Sequence, residues 1–229
     1  MDEDHNKIHK QVSGEGLRGA GVGGGAFVGG GTLFTEPVLV VNQRVKLIEL
    51  TNQYSIFNQS GNQIAHVTQV GQSLLKKALR LVSSLDQFLT HTLEVADNAG
   101  AIQLRIVRPR KIFRSTIIVS DGHGAEIGRI VQNKMIGKIS FALSANGQQV
   151  GAIKAENWRA WNFAIEDATG TEVARITKTF EGLLKTAFTT ADNYVVQIHK
   201  PLQAPLLQLV IASAVSVDTA LKQDSRGLG

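Results

Sequence analysis

Asp97-Asn98-Ala99-Gly100, Asp121-Gly122-His123-Gly124, Ser144-Ala145-Asn146-Gly147 and Asp167-Ala168-Thr169-Gly170 punctuate the middle of this chain, with closing glycines 24, 23 and 23 residues apart. Asn58-Gln59-Ser60-Gly61 has the same form earlier on. A polar acceptor at the first position and glycine at the fourth suit a type I turn closed by a left-handed residue, and two strands plus a turn fill that spacing. The flanks agree. Leu93 and Val95 lead into one turn, and Ile102, Leu104 and Ile106 alternate on the way out, the period of a half-buried strand. Ile127 and Ile130, Val150 and Ile153, and Val173 and Ile176 stand three and six places after their turn glycines, which marks three hairpins as equivalent.

Five hairpins supply ten strands, and the runs Val38 to Val41 and Tyr194 to Ile198 add two, for roughly twelve. Sequential hairpins hide their edges by closing into a barrel or stacking as a sandwich. The fold class expected is mainly β, a closed antiparallel barrel. About eight strands already use up the interior with their own side chains, so twelve need a filler. Leu206 to Val217 is apolar on nearly every side, with Leu206, Leu207, Leu209, Val210, Ile211 and Val215 as its bulk. A helix apolar all round is buried in protein or lipid. Twelve residues fall short of the roughly 20 a span needs, so this segment, within a helix of about 205–222, is expected to fill the barrel.

The chain has 229 residues, 43% hydrophobic and 6% aromatic content, a formal charge of +5 and no cysteine. That composition supports one large core, gives no stacking surface for single strands, and leaves no disulfide, thiolate metal site, cysteine nucleophile or palmitoylation site. Ten of the 23 glycines lie between Gly14 and Gly31, so residues 1–32 read as a Gly-rich arm and 33–229 as the barrel domain. The opening Met-Asp-Glu-Asp has the wrong charge for a signal peptide, and a cytoplasmic location is expected.

No nucleophile elbow, phosphate loop or dinucleotide fingerprint is visible, and the protein is not expected to be an enzyme. Asp121 with His123, and Glu166 with Asp167, sit at hairpin tips where turn chemistry accounts for them. The distinctive charged feature is Arg105, Arg108, Arg110, Lys111 and Arg114, five cations in ten positions with no acid among them. It reads either as a site for the phosphates of anionic lipid or nucleic acid, or as a solvated edge guarded by Pro109. Gln72 to Val82 has helical spacing, as a plug over a barrel end or a helix on a membrane surface. Trp158 and Trp161 read as core packing or as a seat at a membrane interface.

The segments Leu81-Val82-Ser83-Ser84-Leu85-Asp86-Gln87-Phe88, Ala155-Glu156-Asn157-Trp158-Arg159-Ala160-Trp161-Asn162-Phe163, Ala174-Arg175-Ile176-Thr177-Lys178 and Thr189-Thr190-Ala191-Asp192-Asn193-Tyr194 carry a family resemblance. From about Leu33 onward the chain resembles the phospholipid scramblases of the tubby C-terminal-like and LURP-one-related superfamily, in particular the short actinobacterial members. The resemblance implies a twelve-stranded barrel around a C-terminal helix and a role at phospholipid membranes, as an ATP-independent lipid mover or a lipid-binding tether. It places a calcium segment at Thr190 to Pro201, where Asp192 and Asn193 are the candidate ligands. Two such residues fall well short of the six to eight oxygens calcium takes, so calcium stays a weak candidate and no other cofactor is expected. The function expected is therefore a scramblase-like protein that binds anionic membranes, peripheral at the plasma membrane. The alternative is a soluble barrel that binds a small ligand or protein partner. Nucleic acid is the least favoured partner.

Overall fold

The structure, a computed structural model, describes residues 29–44, 53–70, 90–109, 115–133, 139–157, 162–178 and 193–224. Twelve strands follow one another: β1 (Val38–Arg44), β2 (Gln53–Asn58), β3 (Gln63–Val70), β4 (His91–Asp97), β5 (Ile102–Arg108), β6 (Thr116–Asp121), β7 (Glu126–Asn133), β8 (Ser140–Ala145), β9 (Gln148–Asn157), β10 (Asn162–Asp167), β11 (Glu172–Lys178) and β12 (Asn193–Ile198). A helix, α1 (Leu206–Asp224), ends the described chain. Every strand pairs antiparallel with its neighbours in sequence, and β1 closes the barrel on β12, with Val40 opposite both Val195 and Phe57. The mainly β, closed twelve-stranded barrel around a C-terminal helix is the architecture the turn spacing predicts.

Four of the five turns share one construction. In each, the first residue's carbonyl accepts from the glycine N–H, and its side-chain oxygen accepts from the N–H groups two and four residues on. Asn58, Asp97, Asp121 and Asp167 play this part, and the closing glycines have φ between 77° and 90°. The turn at Gly147 differs, although its residues fit the same pattern. Asn146 (φ 50°) and Gly147 (φ 76°) are both left-handed, which makes a two-residue connection of the Asn-Gly type. Asparagine tolerates the left-handed region, so Asn146 and Gly147 make the connection while Ser144 stays in the β8 ladder opposite Gln149.

Alternation then sorts side chains inside and out. Leu93, Val95, Leu104, Ile106, Ile117, Val119, Ile130, Phe141, Leu143, Ile153, Phe163, Ile165 and Ile176 form the inner lining, together with Tyr54 and Tyr194. The helix completes it. Leu209, Val210, Ile211, Ala212, Ala214 and Val215 are all at most 2% exposed, and α1 packs against β5, β6, β7 and β12. Of the described α1 side chains, Leu206 to Gln208 are partly buried and Leu209 to Ser216 are buried. The Ser213 and Ser216 hydroxyls donate to the carbonyls of Leu209 and Ala212, each at 2.6 Å, which lets polar side chains enter the barrel satisfied. At Gly151 the wall has no side chain: a Cβ there would lie 2.5 Å from the Glu166 carbonyl oxygen and 3.1 Å from Leu206 Cδ1.

On the outer wall, Val40, Phe57 and Val195 make a small buried apolar group with Val38 against it. The Gly-rich arm up to residue 28, the segment Gln72 to Val82 and the two tryptophans lie outside the described residues.

Candidate functional site

Arg105 and Arg108, the two described members of the cation run, do not share a face. Leu104, Ile106 and Arg108 alternate with Gln103, Arg105 and Val107 along β5, and the first set is buried. A separation of three residues on a strand puts side chains on opposite faces. Arg105 faces outward, where its Nη2 and Nε reach Glu94 Oε1 at 2.9 and 3.0 Å, the residue directly opposite on β4. Arg108 faces inward and is 8% exposed. Arg110, Lys111 and Arg114 lie outside the described residues.

Arg108 has company that composition and motifs did not reveal. His91 stands opposite it in register and is equally buried, and the His91 Nδ1 is 2.9 Å from the Gln69 Nε2. The apolar alternation of β4 (Leu93, Val95) extends back to His91, and that of β5 (Leu104, Ile106) extends forward to Arg108. That extension is the signal that could have found the pair. Three neighbouring strands thus turn polar side chains inward at the barrel end away from the aspartate turns.

Six cationic side chains are described, and five of them meet a carboxylate: Arg105 with Glu94, Arg129 with Glu126, Lys154 with Glu166, Arg175 with Glu172 and Lys200 with Asp167. Exposed pairs of this kind add roughly 0–1 kcal/mol each. Their larger effect is to neutralise the wall. The Arg129 guanidinium, bonded to Glu126, lowers that carboxyl's pKa.

The hairpin-tip acids are turn parts. Asp121 Oδ1 accepts the N–H groups of His123 and Ala125 at 2.9 Å, and Glu166 Oε2 lies 2.6 Å from Lys154 Nζ. The Thr169 hydroxyl, 2.6 Å from Asp167 Oδ1, holds that carboxyl down to about 2 from 3.8, against the opposing effect of desolvation. The N–H groups of Thr171 and Thr169 and the Lys200 ammonium help.

Among the described residues no three His, Asp or Glu side chains converge as a metal site. Asn193 opens β12 opposite Asn42, and Asp192 lies outside the described residues. Of the helix residues named from sequence, Leu209, Val210, Ile211 and Val215 are buried, while Leu206 and Leu207 are partly buried against the same core. No described helix is long and apolar enough to cross a membrane.

Comparison with known proteins gives four findings. The Scramblase family model matches residues 31–221. Altered inheritance rate of mitochondria protein 25 of Saccharomyces cerevisiae is 25% identical over 82% of this chain and 71% of its own length. A phospholipid scramblase family protein of Schizosaccharomyces pombe is 23% identical over 72% of this chain, which spans 47% of that relative. Among solved structures, an Arabidopsis thaliana protein matches 82% of this chain and 99% of its own at 11% identity, with a TM-score of 0.46.

Proposed function

This chain belongs to the Scramblase family, and from that premise we propose that it works at phospholipid surfaces without enzymatic chemistry, associating peripherally with anionic lipid from the cytoplasmic side. The observation that supports a peripheral role is the direction in which the barrel is built. A barrel that crosses a bilayer is apolar outside and polar inside. Here the lining is apolar and filled by α1, while the outer wall carries the ion pairs Glu94–Arg105, Glu126–Arg129, Lys154–Glu166 and Glu172–Arg175. Charged side chains on a lipid-facing wall cost about 2–4 kcal/mol each at the midplane for Arg or Lys. Contact with lipid is then a matter of electrostatics at the surface, and transbilayer movement, if catalysed, acts on the bilayer from its face.

Co-sedimentation with vesicles tests this. Binding is expected with phosphatidylserine and not with phosphatidylcholine alone, and it should weaken steeply between 50 and 300 mM salt because exposed charges are screened within about 10 Å at 0.1 M. Binding indifferent to anionic lipid would refute the electrostatic reading. A dithionite assay on vesicles carrying the protein separates lipid movement from lipid binding.

A further inference from the structure

On three neighbouring strands the inner face is apolar up to its last position and then turns polar. Val67 is followed by Gln69 on β3, Leu93 is preceded by His91 on β4, and Ile106 is followed by Arg108 on β5. Gln69 stands opposite Leu93 and His91 opposite Arg108, so the three polar side chains share the inner face at the end away from the aspartate turns. Directly opposed residues have Cβ atoms about 5 Å apart, which brings His91 and Arg108 within reach of one small ligand. Gln69 Nε2 lies 2.9 Å from His91 Nδ1. An amide nitrogen only donates, so Nδ1 accepts and the imidazole carries its proton on Nε2. Ser115, 7% exposed, adds a hydroxyl. Its carbonyl accepts the Gln132 N–H and extends the β6–β7 ladder by one residue, which keeps its side chain on the inner face with Ile117. Among the described residues that hydroxyl meets no hydrogen-bond partner. The register of Val107 opposite Ile118 sets Arg108 beside Ile117, two residues from Ser115.

We propose that Gln69, His91, Arg108 and Ser115 form an anion site inside this end of the barrel, and that it takes a phosphate group. That chemistry is common to a phospholipid headgroup and to free phosphate, and only the choice of source rests on the phospholipid reading above. The donors fit an oxyanion. A guanidinium offers five N–H groups in a planar fork that matches two phosphate oxygens, so one neighbour on the wall does not exhaust it. The imidazole Nε2–H and the serine hydroxyl add donors from the strands on either side, which lets β4, β5 and β6 grip one group together. The floor of the site is dry. Val67, Leu93, Ile106 and Ile117 are each at most 6% exposed, and a charge held over such a surface is screened less than one on the outer wall. The described carboxylates stand on the outer wall or at the turn end, so among the described side chains the charge on this part of the inner face is that of Arg108. A cation is repelled there and an anion is drawn in.

Titration of the full chain, followed by the imidazole NMR signals, tests the site with two soluble probes: inorganic phosphate, and glycerophosphoserine, the headgroup of phosphatidylserine without its acyl chains. A saturable shift of the His91 signals is expected, while those of His123, exposed at the turn end, stay in place. Glycerophosphoserine binds the tighter if a lipid supplies the phosphate, and inorganic phosphate if a free anion does. Arg108→Gln should weaken binding about tenfold or more through loss of a charge-assisted hydrogen bond, and Ser115→Ala about threefold. Arg129→Gln, which removes a cation of the outer wall, should leave it unchanged. No saturable shift with either probe, an equal shift at His91 and His123, or equal weakening by Arg108→Gln and Arg129→Gln overturns the site. Should the Arg108→Gln chain not fold, the unmodified protein and Ser115→Ala decide the matter, and full-strength binding by Ser115→Ala together with an unmoved His91 signal overturns the site. Pelleting with phosphatidylserine vesicles is scored separately. Probe binding without pelleting leaves the site standing and overturns the peripheral reading, and pelleting without probe binding does the reverse.

Discussion

Replacing Leu209 with alanine measures whether α1 is structural filling or a detachable segment. Leu209 is fully buried, against the β7 wall, where a Cβ on Gly128 would come within 3.2 Å of its Cδ1. Truncation removes the transfer free energy of the lost methyl and methylene groups and opens a hole between a helix and a hydrogen-bonded wall, neither of which closes easily. Leucine-to-alanine changes at such sites cost about 2–5 kcal/mol. The upper half of that range is expected here, because the twelve strands are tied to one another around a closed ring and cannot collapse inward. With a denaturant slope of about 2 kcal/mol per molar urea, the midpoint followed by far-ultraviolet circular dichroism should fall by about 1.8–2.5 M. Gln149→Ala, at an exposed position of the β8–β9 hairpin, should move it by less than about 0.25 M. A loss below about 1 kcal/mol for Leu209→Ala would refute the filling argument, since a helix free to leave the barrel contributes little to the stability of the wall.

Other expectations can be checked as simply. Gly151→Ala should cost about 1–3 kcal/mol by thermal or urea unfolding, because the new Cβ would sit 2.5 Å from the Glu166 carbonyl oxygen, part of a paired strand with little freedom to move. Asp167, held near 2 when folded and 3.8 as the ordinary value, adds stability that is present above pH 4 and is lost as pH falls towards 2. Thr169→Ala removes the largest cause of that shift, so the Asp167 carboxyl signal should titrate closer to 3.8 by NMR, and an unchanged midpoint would contradict the assignment. The double charge reversal Arg110→Glu with Lys111→Glu should weaken binding to phosphatidylserine vesicles more than tenfold, since each basic residue near such a surface adds about 1 kcal/mol. Undiminished binding would remove this run from the lipid contact.

Much of the barrel could be read in the chain because its determinants are local. A turn such as Asp121 to Gly124 is specified by one acceptor and one glycine, and the alternation of Leu104 and Ile106 needs no partner to be recognised. The filler helix was legible from its length and uniform apolarity. Less of the candidate site was legible. Arg105 and Arg108 look like members of one patch in a linear run, yet a strand sends them to opposite faces, and the Glu94 opposite Arg105 emerges only from cross-strand register. The inward group of Gln69, His91 and Arg108 spans three strands and 39 sequence positions, with no motif to announce it. The turn at Gly147 is a smaller case: its residues match the pattern, yet Asn146 and Gly147 take the left-handed positions.

The sequence by itself determined the order of hairpins, the positions of their turns, the alternation of strands such as β5, and the presence of a C-terminal helix whose apolar run is too short to span lipid. These follow from interactions within a few residues, where backbone chemistry leaves few choices. Tertiary structure decided which charges meet. Cross-strand register pairs Arg105 with Glu94 and Lys154 with Glu166, whereas Arg129–Glu126 and Arg175–Glu172 form within their own strands. The same topology gathers the turns of Asp97, Asp121 and Asp167 at one end of the barrel. Electrostatic presentation depends on distances between strands remote in sequence, and those distances exist only once the barrel is closed.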